Sequence, residues 1–415
     1  MRPGPTTSKP RNRASDTGPK AIREVEACPR TLLAVMQITR VETRPVDRYL
    51  FVEVHTDAGL VGLGEAGTWG FLEAAEQVVA KFAHYLVGQD PLRIEHHWQY
   101  LYRSTHFRGA AIMGALSAID IALWDIAGKH FGVPVYALLG GKTRNKARVY
   151  YHVLGETIDS LVEGCRAAKA RGFTAVGHLS PFGDEPRERA YFKTHAAKMG
   201  QAIDAVRQFR EAVGDDVDLC IEIHRRLTPA EAIVLARGIE PYRPLFYEDP
   251  ILPDNFDAMG LVAENIHIPI ATGERLHTIF EFEMLLRRGA VQFVRPDVCM
   301  CGGITGAKKI AALAEASYVV VVPHNPLGPV STAACVQIAA CIPNFAIQEY
   351  PMGEDQPPKS EIVRTALEYD GKGSLLVPDA PGIGVELAPD AAERYPYRMR
   401  WLGTRLYEDG SVMDQ

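Results

Sequence analysis

The sequence predicts an α/β protein in which a C-terminal (β/α)8-type barrel follows an α+β N-terminal capping domain. Two observations carry this prediction. Over residues 146–350, eight short apolar runs that predict strands alternate with seven amphipathic stretches that predict helices, which is typical of a (β/α)8 barrel. Before them, predicted strands come first and predicted helices follow, which indicates a separate α+β unit. No G-x-G-x-x-G motif opens a helix after a strand, so a dinucleotide-binding sheet is the weaker alternative.

Residues 1–35 are predicted to be a disordered extension, or to precede a translation start at Met36. They are rich in Pro, Ser, Thr, Gly and basic residues, and no apolar block follows the charges, which excludes a secretory signal. The capping domain is predicted over 36–145. Alternating apolar and polar residues on both sides of the turn at 57–59 predict antiparallel strands, and 72–87 and 109–131 have helical periodicity.

The barrel is predicted over 146–350. Its eight strands are predicted in RVYYHVLG (148–155), FTAVGHL (173–179), LCIEIH (219–224), LFYEDP (245–250), IPIATGE (268–274), VQFVRPD (291–297), YVVVVPH (318–324) and FAIQEYP (345–351). The helices are predicted at 158–171, 196–213, 229–238, 256–265, 278–288, 304–316 and 328–341. Residues 351–415 return to turns and short strands, and they are predicted to pack back on the capping domain.

Composition and charge narrow the classes of function. Hydrophobic residues make up 47% and charged residues 23% of the 415, which excludes disorder over most of the length. The net charge is −6 and the charges are interspersed, which argues against a nucleic-acid partner. Uninterrupted apolar runs such as YVVVVP are too short to cross a bilayer. The seven cysteines are scattered, and Cys299 and Cys301 have no second pair at zinc-finger spacing. This pattern predicts buried thiols in a reducing compartment, and so a cytoplasmic protein.

Three glutamates lie at the predicted ends of successive strands. Glu222, Glu248 and Glu274 are 26 residues apart at each step, which corresponds to one strand–helix unit. Catalytic groups of such barrels lie at the C-terminal strand ends. Three converging carboxylates repel one another, and a bound divalent cation relieves this; an all-oxygen site favours Mg²⁺, or Mn²⁺, over zinc. The alternative is that each glutamate pairs with a basic neighbour such as Arg225 or Arg275.

Four further polar residues lie at strand ends. Asp297 and His324 end consecutive strands, and a carboxylate behind an imidazole fixes its tautomer and raises its basicity, as a general base requires. The alternative is a turn histidine with a purely structural role. His224 lies two residues past Glu222, so its side chain points to the same side of the strand and is a candidate second proton carrier. Glu349 ends the eighth strand.

These motifs together resemble a known family. They are GQDPLRIEHHWQYLYR, SAIDIALWDIAGK, LLGG, IEIHRRLTPAEA, FYEDP, ATGERLHT, RPDVCMCGGITGAKKIAALAE, PHNPLGPVS and QEYP. Over about residues 36–400 the chain resembles the enolase superfamily, in its mandelate racemase branch, and is most similar to the acid-sugar dehydratases of the D-galactonate dehydratase type. The fold that this implies is the enolase-like barrel with a capping domain.

The resemblance also implies an activity. It implies a hydro-lyase of carbohydrate acid catabolism that removes water from a galactonate- or gluconate-like aldonic or aldaric acid and gives a 2-keto-3-deoxy acid. Glu222, Glu248 and Glu274 would bind Mg²⁺, which would hold the substrate carboxylate and its 2-hydroxyl. His324, backed by Asp297, would remove the α-proton to give a metal-stabilised enediolate.

His224 would then protonate the departing 3-hydroxyl, and Glu349 would hydrogen-bond the intermediate. A homo-oligomer, a tetramer or octamer, is implied as well. Two positions depart from the family pattern. Glu222 stands where the family more often has Asp. The second strand reads AVGHLSPF and has no Lys-x-Lys pair, which the racemases use as a catalytic base. His178 or Ser180 is then a candidate to line the pocket.

Specificity is expected from cap loops that close over the barrel mouth. The candidates in those loops are Arg48, Trp69 and His106. Two other functions stay open at this point. One is a racemase or epimerase of a 2-hydroxy acid, with His324 and His224 on opposite faces of the α-carbon. The other is a catalytically weakened relative with a regulatory role, because fold does not fix function.

Overall fold

The fold was obtained as a computed structural model, which describes residues 36–185, 190–351 and 354–413 together with Met1 and Gly4. The prediction for residues 1–35 therefore lies outside the described residues, apart from those two positions. The predicted fold class is confirmed: a domain with an antiparallel sheet precedes a parallel sheet of eight strands. The exact boundaries of the predicted domains stay a prediction.

The N-terminal domain is a three-stranded antiparallel sheet covered by helices. Its strands, in the order β1-β2-β3, are β1 (Ile38–Val46), β2 (Tyr49–Thr56) and β3 (Val61–Ala66). Its helices are α1 (Leu72–Leu86), α2 (Ile94–Arg103), α3 (Ala110–Phe131) and the short α4 (Val135–Leu138). Apolar side chains of β2 such as Leu50, Val52 and Val54 are buried against α1 and α3, which explains the alternating pattern of this segment.

Helix α3 is long and apolar enough, by length and composition, to cross a membrane, but most of it is buried inside the protein. It lies between the N-terminal sheet and the barrel helix α10 (Gly303–Ala316), so both of its faces are covered. A helix that is apolar all round and covered on both faces is typical of a protein core. Asp120 and Asp125 interrupt its apolar sequence, which is why uninterrupted runs do not reveal it.

The barrel strands are all parallel and follow the chain order around the ring. They are β4 (Lys146–His152), β5 (Ala175–Leu179), β6 (Asp218–Glu222), β7 (Phe246–Glu248), β8 (Ile270–Thr272), β9 (Phe293–Val294), β10 (Val320–Val321) and β11 (Gln348–Tyr350). The ring closes between β10 and the residues just before β11. There the Val321 amide donates to the Asn344 carbonyl (2.8 Å), and the Ala346 amide donates to the Val321 carbonyl (3.0 Å).

Seven helices connect the strands, close to the predicted positions. They are α5 (Ile158–Ala170), α6 (His195–Val213), α7 (Pro229–Ile239), α8 (Phe256–Glu264), α9 (Ile279–Arg287), α10 (Gly303–Ala316) and α11 (Pro329–Cys341), with a single 3-10 turn at Glu240–Tyr242. The six described cysteines are buried and unpaired. They are part of the apolar packing of the barrel, as the cysteine pattern predicts for a reducing compartment.

The C-terminal segment contacts both parts of the molecule. Strand β12 (Ser374–Leu376) pairs antiparallel with β4, the first barrel strand. The short helix α12 (Ala391–Arg394) is followed by backbone hydrogen bonds to the turn between β1 and β2. The Asp47 amide donates to the Tyr395 carbonyl (2.8 Å), and the Arg398 amide donates to the Asp47 carbonyl (2.6 Å). The segment thus pairs with the first barrel strand in addition to its contacts with the capping domain.

The first five barrel helices begin with their own side-chain caps, whereas the last two are capped by the N-terminal domain. Helices α5 to α9 start after Thr157, Thr194, Thr228, Asn255 and Thr278, each of which accepts a hydrogen bond from the first turn. Helices α10 and α11 start after Gly302 and Gly328, which offer no side-chain acceptor. Their first-turn donors bond to other side chains.

Carboxylates of the N-terminal domain supply these missing acceptors. Asp120 of α3 accepts from the Thr305 amide (2.9 Å) and hydroxyl (2.6 Å) at the start of α10. Glu65 of β3 accepts from the Gly328 amide (2.7 Å) and the Ser331 amide (2.9 Å) at the start of α11. A side-chain oxygen at a helix N-terminus is favourable because the amides of the first turn have no acceptor within the helix. These two contacts join the domains just behind the strand ends that carry Asp297 and His324.

Candidate active site

The three glutamates at the barrel strand ends lie together. Glu222 and Glu248 are paired residues at the ends of β6 and β7, and Glu274 lies two residues beyond the end of β8. Each of the three offers a carboxylate oxygen, and these oxygens all lie within 4.8 Å of one another. Glu222 and Glu248 are almost fully buried, and the Glu274 side chain is 12% exposed. The regular spacing in the sequence therefore becomes one compact cluster of oxygen donors.

The electrostatics of this cluster favour a cation. Burial and the charge of Glu274 raise the pKa of Glu222 to about 7. Burial also raises the pKa of Glu248 well above its ordinary value, and the neighbouring Glu222 adds to this rise. Glu274 differs: burial would raise its pKa, but His324 and Arg225 outweigh burial and lower it to about 2. Glu222 and Glu248 thus carry negative charge at a cost that a divalent ion would remove.

Two arginines contact different glutamates of the cluster. Arg225 donates through Nη1 to Glu274 Oε1, and also to Asp249 Oδ2 (3.2 Å). Arg295 is fully buried, and its Nε lies 2.7 Å from Glu248 Oε1, at an angle that does not make a hydrogen bond. Glu248 Oε1 thus finds no hydrogen-bond donor among the described residues. A buried carboxylate next to two other carboxylates fits a hard divalent cation.

The Asp297–His324 pair lies on the next two strands of the ring. His324 Nδ1 is 2.9 Å from Asp297 Oδ2, while Nε2 points towards the glutamates, 3.3 Å from Glu274 Oε2. Asp297 also accepts from the Cys299 amide (2.8 Å), which fixes the carboxylate. Burial would lower the pKa of His324, but Glu274, Glu349 and Asp297 outweigh it and raise the pKa to about 9. The imidazole is oriented with Nε2 towards the centre of the barrel mouth.

Glu349 is at the centre of a buried hydrogen-bond network. One oxygen contacts His152 Nε2, and the other accepts from Arg295 Nη2 (2.7 Å) and from the Asn325 amide (2.7 Å). Burial would raise the pKa of Glu349, but Arg295 and His152 outweigh it and hold the pKa well below its ordinary value. Glu349 is therefore a fixed anion that also anchors the residue after His324.

Three histidine rings form a contact series along the other side of the site. The His152 and His178 rings stack with centroids 4.5 Å apart, and the His178 and His224 rings meet edge to face at 4.9 Å. The His224 amide donates to Glu222 Oε1 (2.8 Å), which holds the loop against the glutamate cluster. Burial lowers the pKa of His224 to about 4, although Glu274 opposes this. We call His152, His178 and His224 the histidine series.

The structure adds groups that the sequence argument leaves out. They are His152, Asp249, Arg295 and Arg225, the last of which donates to both Glu274 and Asp249. His152 ends the first strand, so its position relative to the strand end is a usable signal. Arg295 comes two residues before Asp297 and therefore points to the same side of the strand. Its partners, however, are set by strands distant in the sequence.

The remaining predicted pocket residues lie at the edges of the site. Ser180 lies two residues after His178 and accepts a 3.4 Å hydrogen bond from the Phe182 amide. The three candidates for specificity differ in their surroundings. Arg48 is exposed and donates to the Tyr49 hydroxyl (3.2 Å), Trp69 lies under the Arg400 guanidinium at 4.2 Å, and His106 is exposed in the loop between α2 and α3. Their part in specificity stays a prediction.

Comparison with known proteins identifies relatives over most of the chain. Residues 157–391 match the enolase C-terminal domain-like family, and residues 23–140 match the N-terminal domain family of mandelate racemase / muconate lactonizing enzyme. D-galactonate dehydratase of Ralstonia pickettii (strain 12J) is 39% identical over 358 residues, which are 85% of this chain and 92% of that protein. D-galactonate dehydratase of Pectobacterium atrosepticum is 35% identical over 387 residues, 91% of this chain and 100% of that protein.

Solved structures agree with these relatives. An enolase from Agrobacterium radiobacter, described as a proposed galactarate dehydratase with bound Na and L-malate, has a TM-score of 0.85 at 32% identity. The match covers 91% of this chain and 100% of that one. A protein of the mandelate racemase/muconate lactonizing type from Labrenzia alexandrii has a TM-score of 0.82 at 33% identity, over 89% of this chain and 100% of that one.

Proposed function

Because the chain belongs to the mandelate racemase / muconate lactonizing enzyme family of the enolase superfamily, we propose that its substrate is a galactonate- or gluconate-like acid sugar. The chain is a lyase of the acid-sugar dehydratase class. The proposed reaction removes water from C2 and C3 of an aldonic or aldaric acid and gives a 2-keto-3-deoxy acid. The observation that carries this proposal is the three-glutamate cluster with His324 Nε2 beside it at the barrel mouth.

The proposed cofactor is Mg²⁺, with Mn²⁺ as the alternative, held by Glu222, Glu248 and Glu274. The donor set supports a hard ion, because all three groups are carboxylates. When bound, the ion supplies positive charge beside the substrate carboxylate and makes the α-proton more acidic. Arg295, which contacts both Glu248 and Glu349, would keep the second of the three ligands in place.

His324 is the proposed general base. In the neutral imidazole Nδ1 keeps its proton for Asp297 at 2.9 Å, so Nε2 carries the lone pair towards the substrate. Burial would lower the pKa of His324, but the Glu274 charge raises it to about 9, and a cation held by Glu274 would offset that charge. Asp297 is buried and fixed by the Cys299 amide, and it therefore stabilises the imidazolium that proton abstraction produces. A positioned base of this kind contributes on the order of 10²–10⁴ to the rate.

His224 is the proposed general acid. Glu349 is a proposed hydrogen-bonding group for the anion formed at the α-carbon, a role in which its carboxyl has to carry a proton, because an ionised carboxylate only accepts hydrogen bonds. His224 is the more exposed of the two histidines, with 33% of its side chain accessible against 12% for His324. Because burial lowers the pKa of His224 to about 4, the acid role requires that the imidazole be protonated in the substrate complex, and the accessible part of its side chain lets solvent supply that proton. One base and one acid on different strands suit a dehydration.

The test is a panel of stereoisomeric five- and six-carbon aldonic and aldaric acids, assayed with Mg²⁺ for a 2-keto product. We expect one or a few acids to react, and His324→Asn to lose at least about 100-fold in kcat. His267→Asn is the matched control, because His267 is an exposed histidine that pairs with Glu240 and precedes the start of β8, whereas the site lies beyond the strand's other end. A panel without product from a Mg²⁺-loaded, folded protein would refute the proposal for these acids.

A second measurement separates the alternative activity. Exchange of the α-proton in heavy water without loss of the 3-hydroxyl would indicate an epimerase that uses His324 and His224 on opposite faces. The homo-oligomer of four or eight subunits and the cytoplasmic location stay predictions, and size-exclusion chromatography with light scattering tests the first of them.

A further inference from the structure

A second group of donor atoms lies beside the three-glutamate cluster and includes two imidazoles. His178, Glu222 and His224 each offer one donor atom, and these atoms all lie within 4.8 Å of one another. His224 Nε2 is 3.9 Å from Glu222 Oε2. The group comes from the ends of the neighbouring strands β5 and β6, so it shares the barrel mouth with the glutamates.

The backbone brings both rings into this position. His178 and His224 adopt left-handed conformations, with φ of 58° and 54°, which are uncommon for residues other than glycine. Their rings contact each other at 73°, and the far side of His178 stacks on His152. His152 is in turn held by Glu349. The His178 ring is therefore packed between the other two rings and is already held beside His224, where a shared ligand would bind.

We propose that His178, His224 and Glu222 form a second metal site, for a borderline first-row cation such as Zn²⁺, which shares Glu222 with the glutamate cluster. Two imidazoles and one carboxylate are a donor set that zinc, cobalt, nickel and iron accept, whereas magnesium prefers oxygen alone. The two neighbouring clusters thus differ in chemistry: one is all oxygen, and the other is mostly nitrogen. Small movements of the three side chains would bring the donors to the zinc–ligand distances of about 2.0–2.2 Å.

Occupation of this site has a consequence for catalysis that rests on the proposed function. A metal ion on His224 takes the nitrogen that would carry the proton to the leaving hydroxyl. Zinc at this site therefore inhibits dehydration, and excess Mg²⁺ does not relieve the inhibition, because magnesium competes poorly for imidazole nitrogen.

The test uses the full-length protein saturated with Mg²⁺ and titrated with Zn²⁺ in competition with a chromophoric chelator. We expect the wild type to bind one equivalent of zinc and His178→Ala to bind zinc at least about 100-fold more weakly. Loss of a group that only hydrogen-bonds to a metal ligand already costs about 10–100-fold in affinity, and loss of a ligand should cost more. His267→Ala, which removes an exposed histidine 3.0 Å from Glu240, controls for zinc captured at the surface and should leave the affinity unchanged. Each variant's zinc inhibition is measured against its own zinc-free rate.

X-ray absorption of the zinc-loaded wild type gives an answer even if His178→Ala does not fold. Two imidazole nitrogens in the zinc shell support the site, whereas an oxygen-only shell overturns it. Equal zinc affinity in wild type and His178→Ala overturns it too. If the Mg²⁺-loaded protein dehydrates a sugar acid but the titration shows no zinc bound at this site, the second site is refuted and the proposed function stands. Zinc uptake that depends on His178, in a protein that dehydrates no sugar acid, refutes the function alone.

Discussion

Arg225 occupies the position of a competitor for the proposed metal. Its guanidinium is 15% exposed and contacts both Glu274 and Asp249. A bound cation at the three glutamates has to displace or weaken the bond to Glu274. A hydrogen bond between charged groups in such surroundings is worth about 1.5–3 kcal/mol. Since 1.4 kcal/mol corresponds to a factor of ten, Arg225→Gln should bind Mg²⁺ roughly 10- to 100-fold more tightly than the wild type.

The assay is calorimetric titration of Mg²⁺ into the metal-free protein at constant ionic strength. Arg226→Gln is the matched control: Arg226 is the next residue in the chain, but it pairs with Glu185, away from the glutamates. This control should bind Mg²⁺ as the wild type does, and thermal unfolding checks that both variants fold. Unchanged or weaker binding in Arg225→Gln would refute the reasoning. Weaker binding would mean that Arg225 holds Glu274 in place for the metal instead of competing with it.

Three further predictions concern the junction between the domains and the proposed base. Asp120→Ala leaves the amide and hydroxyl of Thr305 without this acceptor. We therefore expect it to lower the free energy of unfolding, measured with urea, by about 2 kcal/mol. The control Asp257→Ala removes an exposed carboxylate and should change that free energy very little. Burial raises the pKa of Glu65 to about 8, although the two amides that it accepts from oppose this. The folded protein thus holds this proton more tightly than the unfolded chain, and that stabilisation is complete below about pH 4.5 and lost as the pH rises to about 8. Relative to Glu65→Gln, the wild type should lose at most about 1.4 kcal/mol of unfolding free energy per pH unit over that range; a pH-independent difference would contradict this. Asp297→Asn should lower kcat by about 10²–10⁴ with little change in KM, as steady-state kinetics on the identified substrate would measure, and a loss below tenfold would argue against Asp297 as the partner of the base.

The sequence predicts the architecture well because the barrel repeats one simple unit. Each strand is a short apolar run and each helix has a clear period, so the order of the eight units follows from local patterns. The cluster of Glu222, Glu248 and Glu274 follows from the same regularity, because equal spacing along a repeating unit places residues on equivalent strand ends. That prediction needs no knowledge of side-chain conformation.

Local sequence patterns do not predict side-chain contacts between strands that are distant in the chain. Arg295 bridges Glu248 and Glu349, which lie 101 residues apart, and no local pattern indicates that a buried arginine joins them. The inward position of His178 depends on a left-handed backbone that a histidine adopts only when the surrounding structure imposes it. The partners of Arg48 and Trp69 likewise depend on loop geometry, so the residues that select the substrate cannot be read from spacing.

The capping of α10 and α11 by Asp120 and Glu65 limits how this protein can be recombined. A barrel separated from its N-terminal domain would keep its eight strands but would leave two helix starts without acceptors, directly behind the strand ends of Asp297 and His324. The two parts are therefore not interchangeable modules. A chimera that takes its specificity loops from a relative should retain α3 and β3 of this chain, or import the matching helix starts along with the loops.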